Sequence, residues 1–291
     1  MSVATILNLN SVRNASADGT VKLRFCTAEW ASYEACLLHL NYRAIPNVIC
    51  VSTQLGCPFD CSFCAIGAQQ FQRNLTTSEI SQQIMAALAD PFWERKLNEF
   101  EIAAMGTGEP LCVLPELLDA IRETKLQAPG LRSLNISTVG IPEKIRQYSK
   151  CDVQGVQFNL QLSLHGTTDE ARAKIMPAAA RFGIAPVLKA CAEFARQHHT
   201  KIVVNYLLLR NINDLSEDVT RLRQLLDPAI FSVKISILNS TDGADDNLVG
   251  SSSPKEFCDA VQQAGISARV FSSAGVDIGA GCGQFANILR P

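Results

Sequence analysis

The segment Gly56-Cys57-Pro58-Phe59-Asp60-Cys61-Ser62-Phe63-Cys64 places three thiols at C-x3-C-x2-C spacing. Thiolates this close in sequence can wrap one metal centre only from a loop, where the backbone curls around it. Zinc in a structural site takes four cysteine or histidine ligands, and no nearby fourth completes that set. An iron–sulfur cluster held by three cysteines instead leaves one iron open to an outside ligand. Three loop thiols without a metal would be an oxidation liability. Soft-metal chemistry with one vacant coordination position is the expectation.

Two more cysteines stand in different settings. Cys282 lies in Gly275-Val276-Asp277-Ile278-Gly279-Ala280-Gly281-Cys282-Gly283-Gln284, a glycine-flanked loop with no core to fill and freedom to swing. Cys50 opens the run Cys50-Val51-Ser52-Thr53-Gln54-Leu55-Gly56-Cys57. By position alone it reads as a small buried strand residue, the common fate of free cysteine.

Eleven cysteines, an odd count, with no basic start and apolar block at the N-terminus, argue against a secreted disulfide scaffold. A reducing cytoplasm fits better. Hydrophobic residues make up 47% and charged ones 19%, which excludes intrinsic disorder and supplies one large core. No apolar run reaches the roughly 18 residues needed to span a bilayer, so no membrane association is expected. The net charge of −2, from 26 basic and 28 acidic residues, gives no global pull toward nucleic acid.

The elements that must position these cysteines alternate from about residue 47. Apolar runs predict strands at Val48–Ser52, Phe100–Ala104, Ser133–Ser137, Gln157–Ser163, Ile202–Leu209, Ser232–Leu238 and Ala268–Ser272. Helical patterns lie between them at Ser78–Leu88, Pro115–Thr124, Val187–Gln197, Leu215–Leu225 and Pro254–Gln263. Thr76 stands three residues before Glu79, a capping-box spacing. Repeated βα units predict a parallel sheet with outer helices. Six or seven units fall short of eight, so the expected fold is α/β, a partial (β/α)6-type barrel, with a doubly wound open sheet as the alternative. Residues 1–46 are expected to form a small N-terminal β extension, with Gly19–Phe25 and Tyr33–Leu40 as a hairpin. Residues 47–291 are then the barrel with its C-terminal cysteine loop. Ser240–Ser253 reads as a loop.

Short polar residues mark the predicted strand ends, the face where barrel active sites are built. Gly106-Thr107-Gly108-Glu109-Pro110 follows the second strand and Ser137-Thr138-Val139-Gly140 the third. Ser163-Leu164-His165 ends the fourth and Asn239 the sixth. Glycines at 106 and 108 would let backbone approach a ligand. Each polar residue alone reads first as a turn or cap, and His165 equally as a satisfied strand-end histidine; together they favour a ligand cradle.

The cysteine trio, with an aromatic before its last member, resembles the radical S-adenosylmethionine (SAM) superfamily. That resemblance implies a [4Fe-4S] cluster on Cys57, Cys61 and Cys64, whose open iron chelates SAM and whose electron cleaves it to a 5′-deoxyadenosyl radical. With Arg73-Asn74-Leu75-Thr76 and the strand-end motifs added, the order from about Asp18 to Gln284 resembles the RlmN/Cfr family of RNA adenine methylases. It implies SAM contacts from Gly108, Glu109, Ser137, Ser163, Leu164, His165 and Asn239, with Glu109 accepting from the SAM ammonium. It further implies methylation of an sp2 adenine carbon in rRNA or tRNA with two SAM per turnover. Cys282 would be the S-methylcysteine carrier and Cys50 the resolving thiol that forms a disulfide with it. Glu34 would be the proton acceptor, with Glu29 a weaker substitute, and a flavodoxin or ferredoxin the electron donor.

The sequence also departs from that family. Fewer than twenty residues precede the hairpin, where RlmN and Cfr carry a helical accessory domain. Basic residues such as Arg73, Arg95, Lys96, Lys144 and Arg146 are scattered. Thr107 stands where Met is common, and Pro177-Ala178-Ala179-Ala180 lacks the polar residue often found after that proline. Because phosphate contacts dominate RNA affinity, the same radical chemistry on a small nucleotide, peptide or natural-product precursor remains the alternative. A non-catalytic metal-binding scaffold is a third reading.

Overall fold

The computed structural model describes residues 12–27, 31–67, 70–93, 98–241 and 244–285. An N-terminal antiparallel meander comprises β1 (Val12–Ala15), β2 (Val21–Cys26) and β3 (Ser32–His39). It pairs through β3 with β4 (Asn47–Val51), the first barrel strand. A two-residue hairpin, β5 (Gln54–Leu55) with β6 (Arg73–Asn74), brackets the cysteine loop. The barrel continues through β7 (Phe100–Ala104), β8 (Leu131–Thr138), β9 (Gln157–Ser163), β10 (Ile202–Leu207), β11 (Phe231–Ser236) and β12 (Ala268–Phe271). One sheet runs in the order β1-β2-β3-β4-β7-β8-β9-β10-β11-β12, with every pairing from β4 onward parallel. Its edge strands β1 and β12 are not paired to each other, so the barrel stays open.

Helices return each strand to the start of the next. They are α1 (Thr77–Leu88), α2 (Leu114–Gln127), α3 (Pro142–Ser149), α4 (Asp169–Ile175), α5 (Pro177–Ala180), α6 (Ile184–His198), α7 (Ser216–Leu225) and α8 (Pro254–Gln263). The expected capping box starts α1: the Thr76 hydroxyl accepts from the Glu79 N–H while the Glu79 carboxylate accepts from the Thr76 N–H. The expected α/β partial barrel is therefore the observed one. Beyond the expected elements lie β1, β5, β6, α3, α4 and α5. No helix among the described residues is long and apolar enough to cross a membrane.

Strand alternation gives the sheet two unlike faces. Outward, Ile102, Leu134, Leu160, Val204 and Ile235 are buried against the helices in one apolar core. Each such side chain contributes about 1.5–3 kcal/mol by leaving water. Inward, the face is polar: Ser133 donates to Glu101, Asn135 to Ser133, Asn159 to Asn135, and Lys234 to Gln161. Parallel sheets usually carry apolar residues on both faces. A polar lumen is what a barrel needs if it admits a polar ligand.

Candidate active site

The cysteine loop leaves β4 through a buried clamp. Gln83, on α1, accepts from the Ser52 N–H at 2.8 Å and donates to the Ser52 carbonyl at 3.0 Å. The Ser52 hydroxyl donates to the Glu34 carbonyl at 2.6 Å and accepts from the Thr107 N–H at 3.0 Å. The loop then folds on itself, with Cys64 N–H donating to the Cys61 carbonyl at 3.1 Å and Ser62 N–H to the Ile175 carbonyl at 3.0 Å. Cys57, Cys61 and Cys64 line one cavity of about 200 Å³ at the C-terminal ends of the strands.

These three side chains fit an iron–sulfur cluster better than a lone ion. Burial pushes the Cys57 thiol up to about 12 and raises Cys61 and Cys64, and the neighbouring thiols add to the effect on Cys57 and Cys61. Such thiols ionise readily only beside a cationic metal centre. Among the described residues, no three His, Cys, Asp or Glu side chains converge as a single-ion site. A cluster, which spreads its irons over separate corners, places no such demand. Two buried oxygens on the cavity lining, Thr107 Oγ1 and Asn205 Oδ1, lack hydrogen-bond partners, as expected of a lining built to hold a polar ligand.

Cys282 lines the same cavity and is exposed. Its loop is tied down on three sides. The Ala65 N–H, one residue past Cys64, donates to the Gly283 carbonyl at 2.9 Å. Asn239 donates to the Cys282 carbonyl at 2.9 Å and to the Ser273 hydroxyl at 3.0 Å. The Gly275 N–H donates to Asp18 at 2.7 Å, and Lys22 donates to the Gly279 carbonyl at 3.2 Å, so the N-terminal meander holds the loop's start. Gly283 has φ +81°, and a Cβ there would press on the Phe63 carbonyl, so the close approach requires glycine.

Cys50 lies behind that loop, 7% exposed, on the inner face of β4. It does not line the cavity. Burial, and then the neighbouring Cys282, push its pKa to about 12, and it packs with Ala280 and Phe285 on either side of Cys282.

Of the expected cradle, Gly108, Glu109, Ser137, Ser163, His165 and Asn239 all line the cavity. Glu109 is buried, and its two oxygens accept from the Val139 and Leu111 N–H groups at 2.8 and 3.2 Å. Burial raises its pKa to about 7 against those stabilising contacts. His165 adopts φ +54°, and its Nδ1 accepts from the Leu207 N–H at 2.9 Å while Phe63 packs edge-on against the ring. Burial, and then the charges of Arg172 and Lys234, hold its pKa down to about 3, so the ring is neutral with its proton on Nε2.

Two expectations need correction. Leu164 is outside the cavity: alternation turns it away from Ser163 into the helix-facing core. Glu34 is not brought to the cavity either. It is fully buried on β3, ion-paired to Arg24 at 2.9 Å and Lys22 at 3.3 Å. Glu29 lies outside the described residues. Gly106 and Gly108 line the cavity, and packing also demands glycine at both positions. A Cβ would strike Ser52 at Gly106 and the Gln54 side chain at Gly108, where φ is +105°.

The sequence reading missed Lys234 and Asn205, which line the cavity from adjacent strands. Burial lowers the Lys234 pKa, whereas a thiolate at Cys282 would favour its ammonium. The signal was a lysine between Val233 and Ile235, with the inward parity of Ser232 and Ser236.

A partial (β/α) barrel gathering three loop cysteines over a polar lumen defines the radical SAM class of enzyme. Residues 51–226 match the radical SAM superfamily. The chain is 33% identical over 280 residues to a probable dual-specificity RNA methyltransferase RlmN of Pseudothermotoga lettingae, covering 94% of this chain and 78% of that one. It is 34% identical to the corresponding Thermus thermophilus protein, covering 95% and 77%. A radical SAM methyltransferase from Sphaerobacter thermophilus superposes with TM-score 0.84 at 28% identity, over 95% of this chain and 81% of that one. The chain belongs to the RlmN family of radical SAM methyltransferases. Its cofactors are a [4Fe-4S] cluster and SAM.

Proposed function

We propose that this enzyme methylates an sp2 carbon of adenine in RNA, with Cys282 as methyl carrier and Cys50 as resolving thiol, in the cytoplasm. The observation that carries this reading is the placement of Cys282 on the cluster cavity with Cys50 buried behind it. Two relatives named as RNA methyltransferases supply the substrate class. A flavodoxin or ferredoxin would supply electrons.

Bound in the cavity, the cluster supplies the electron, and SAM the methyl group and the hydrogen-abstracting radical. Cys57, Cys61 and Cys64 hold the cluster. Phe59, Phe63 and Met105 wall the cavity against water. Asn239 and Ser273 fix the Cys282 backbone so that its sulfur can accept a methyl group. Once that carbon has replaced the ring hydrogen, which would leave as a proton with the odd electron passing back to the cluster, Cys50 attacks the Cys282 sulfur and loses its proton. The carbon–sulfur bond breaks toward carbon, which takes a proton, and a Cys50–Cys282 disulfide remains. The attack needs the Cys50 thiolate and in-line access to the Cys282 sulfur. Burial, which pushes the Cys50 pKa up to about 12, opposes ionisation, so the proton must leave as the sulfur attacks.

Mass spectrometry of the protein reconstituted with cluster and SAM tests the reading. A single added methyl on Cys282, absent in Cys282→Ser, is expected, followed by transfer of labelled methyl to RNA. A Cys282 that never carries the methyl overturns the carrier role. Transfer to free nucleosides or peptides but not RNA overturns the substrate class.

A further inference from the structure

Lys234 and Asn205 form a pair that the chemistry above leaves unused. They are register partners on β11 and β10, so their backbones lie about 4.8 Å apart, and both side chains line the cavity. Each is 8% exposed. The Lys234 ammonium donates to Gln161 Oε1 at 2.9 Å and lies 4.7 Å from the Phe271 ring centroid. It makes no ion pair with a carboxylate among the described residues. An ammonium has three protons to donate, so donor capacity remains. Asn205 is the complement: its Nδ2 donates to the Ser137 hydroxyl at 3.1 Å, and its buried Oδ1 has no partner.

Burying an unpaired charge and an orphaned carbonyl oxygen is costly unless a ligand satisfies both. That ligand must present an acceptor beside a donor. Adenine does so on two edges, with the exocyclic amino group donating next to ring nitrogen N1 or N7. Those nitrogens adjoin carbons 2 and 8 respectively. Hypoxanthine places a carbonyl where the amino group was, and unsubstituted purine has nothing there.

The geometry points to Lys234 and Asn205 as the base-reading pair of the cavity, with Lys234 donating to a ring nitrogen of adenine and Asn205 Oδ1 accepting from its amino group. This deepens the proposed function and rests on it for the identity of the base as substrate. The shared chemistry is adenine, which SAM also contains. The substrate base is favoured because Lys234 lines the same cavity as Cys282, against whose sulfur the target carbon must sit. A hydrogen bond to the adjoining nitrogen would also draw electron density from that carbon, favouring attack by a nucleophilic alkyl radical.

The test uses the full-length protein loaded with cluster and SAM. Calorimetry measures binding of adenosine, inosine and purine riboside 5′-monophosphates, and separately of SAM. Adenosine monophosphate is expected to bind on the order of tenfold or more tightly than the other two, as for a base-edge pair that loses its partner. Asn205→Ala should erase the preference over purine riboside monophosphate. Lys234→Met, nearly isosteric and relieved of a buried charge, should weaken adenosine monophosphate while leaving SAM affinity and melting temperature unchanged. Equal or absent binding of the three nucleotides by the unaltered protein overturns the pair. So does weakened SAM with unaltered nucleotide preference, which would assign the pair to the adenine of SAM. Labelled methyl transfer to RNA by the unaltered protein separates the two readings: transfer without base preference sinks only the pair, and base preference without transfer sinks the RNA reading.

Discussion

The Ala65 N–H donates to the Gly283 carbonyl at 2.9 Å, joining two segments more than two hundred residues apart. One neighbour of that bond is Cys64 and the other is Cys282. This backbone hydrogen bond helps set Cys282 beside the cysteine loop, and both cysteines line one cavity. The rest of the fold acts on this juncture from two directions. Gln83 and Ser52 fix the start of the cysteine loop, while Asp18 and Lys22 hold the C-terminal loop from the N-terminal meander.

Removing the amide that holds the Cys282 backbone should slow its methylation without unfolding the protein. Asn239→Ala deletes the bonds to the Cys282 carbonyl and the Ser273 hydroxyl. A hydrogen bond contributes about 0.5–1.5 kcal/mol net, so the rate of methyl gain at Cys282 is expected to fall about tenfold. A mass-resolved time course measures it; an unchanged rate would show that Asn239 does not hold the Cys282 loop.

Acid should loosen the same loop through Asp18. Burial opposes ionisation of Asp18, but hydrogen bonds from the Gly275 and Thr20 N–H groups outweigh it and hold its pKa at about 2, below the ordinary 3.8. A carboxyl depressed on folding stabilises the protein above its unfolded pKa, and that contribution is lost as pH falls from about 3.8 toward 2. Asp18→Ala should have a lower melting temperature at neutral pH. The gap to the unaltered protein should narrow below pH 4. A constant gap across that window would assign the effect to something other than ionisation.

Much of the scaffold was readable because its strands are apolar runs between helical patterns, as at Phe100–Ala104 and Gln157–Ser163. What escaped was short or polar. Helix α3 offers only Ile145 and Tyr148 as large apolar anchors in eight residues, and all four residues of β1 are exposed. At the site, loop cysteines and strand-end polar residues announced themselves by position. Leu164 did not follow its neighbours, because successive strand residues face opposite ways. Depth was the second blind spot. Glu34, Cys36 and Cys50 share the inward face, yet the pattern cannot say that Glu34 sits among Lys22 and Arg24 instead of on the cavity. Lys234 was readable by parity, as a lysine between two apolar strand residues that face the other way.

The clamp under the cysteine loop should be costly to remove. Gln83 is fully buried and satisfies both backbone groups of Ser52. Gln83→Leu keeps the volume but orphans a buried N–H and a buried carbonyl, each worth about 1–3 kcal/mol. Urea unfolding should show a loss of about 2–4 kcal/mol at unchanged m-value. A loss well below 1 kcal/mol would mean that water replaces the amide and that the loop start is less tightly held than the hydrogen bonds indicate.

His165 gives the clearest pH signature. Its ring is held neutral by burial and by the charges of Arg172 and Lys234, with a folded pKa of about 3 against 6.5 ordinarily. Between those values the unfolded chain binds a proton that the folded protein refuses, so stability falls as pH drops from about 6.5 toward 3. His165→Gln, which keeps an acceptor for the Leu207 N–H, should flatten the stability curve across that window. In the unaltered protein the imidazole Cε1 resonance of His165 should stay constant from pH 5 to pH 9. A titration near 6.5 would mean that solvent reaches the ring. The neutral imidazole, with its proton on Nε2, would then no longer be a fixed donor at the cavity wall.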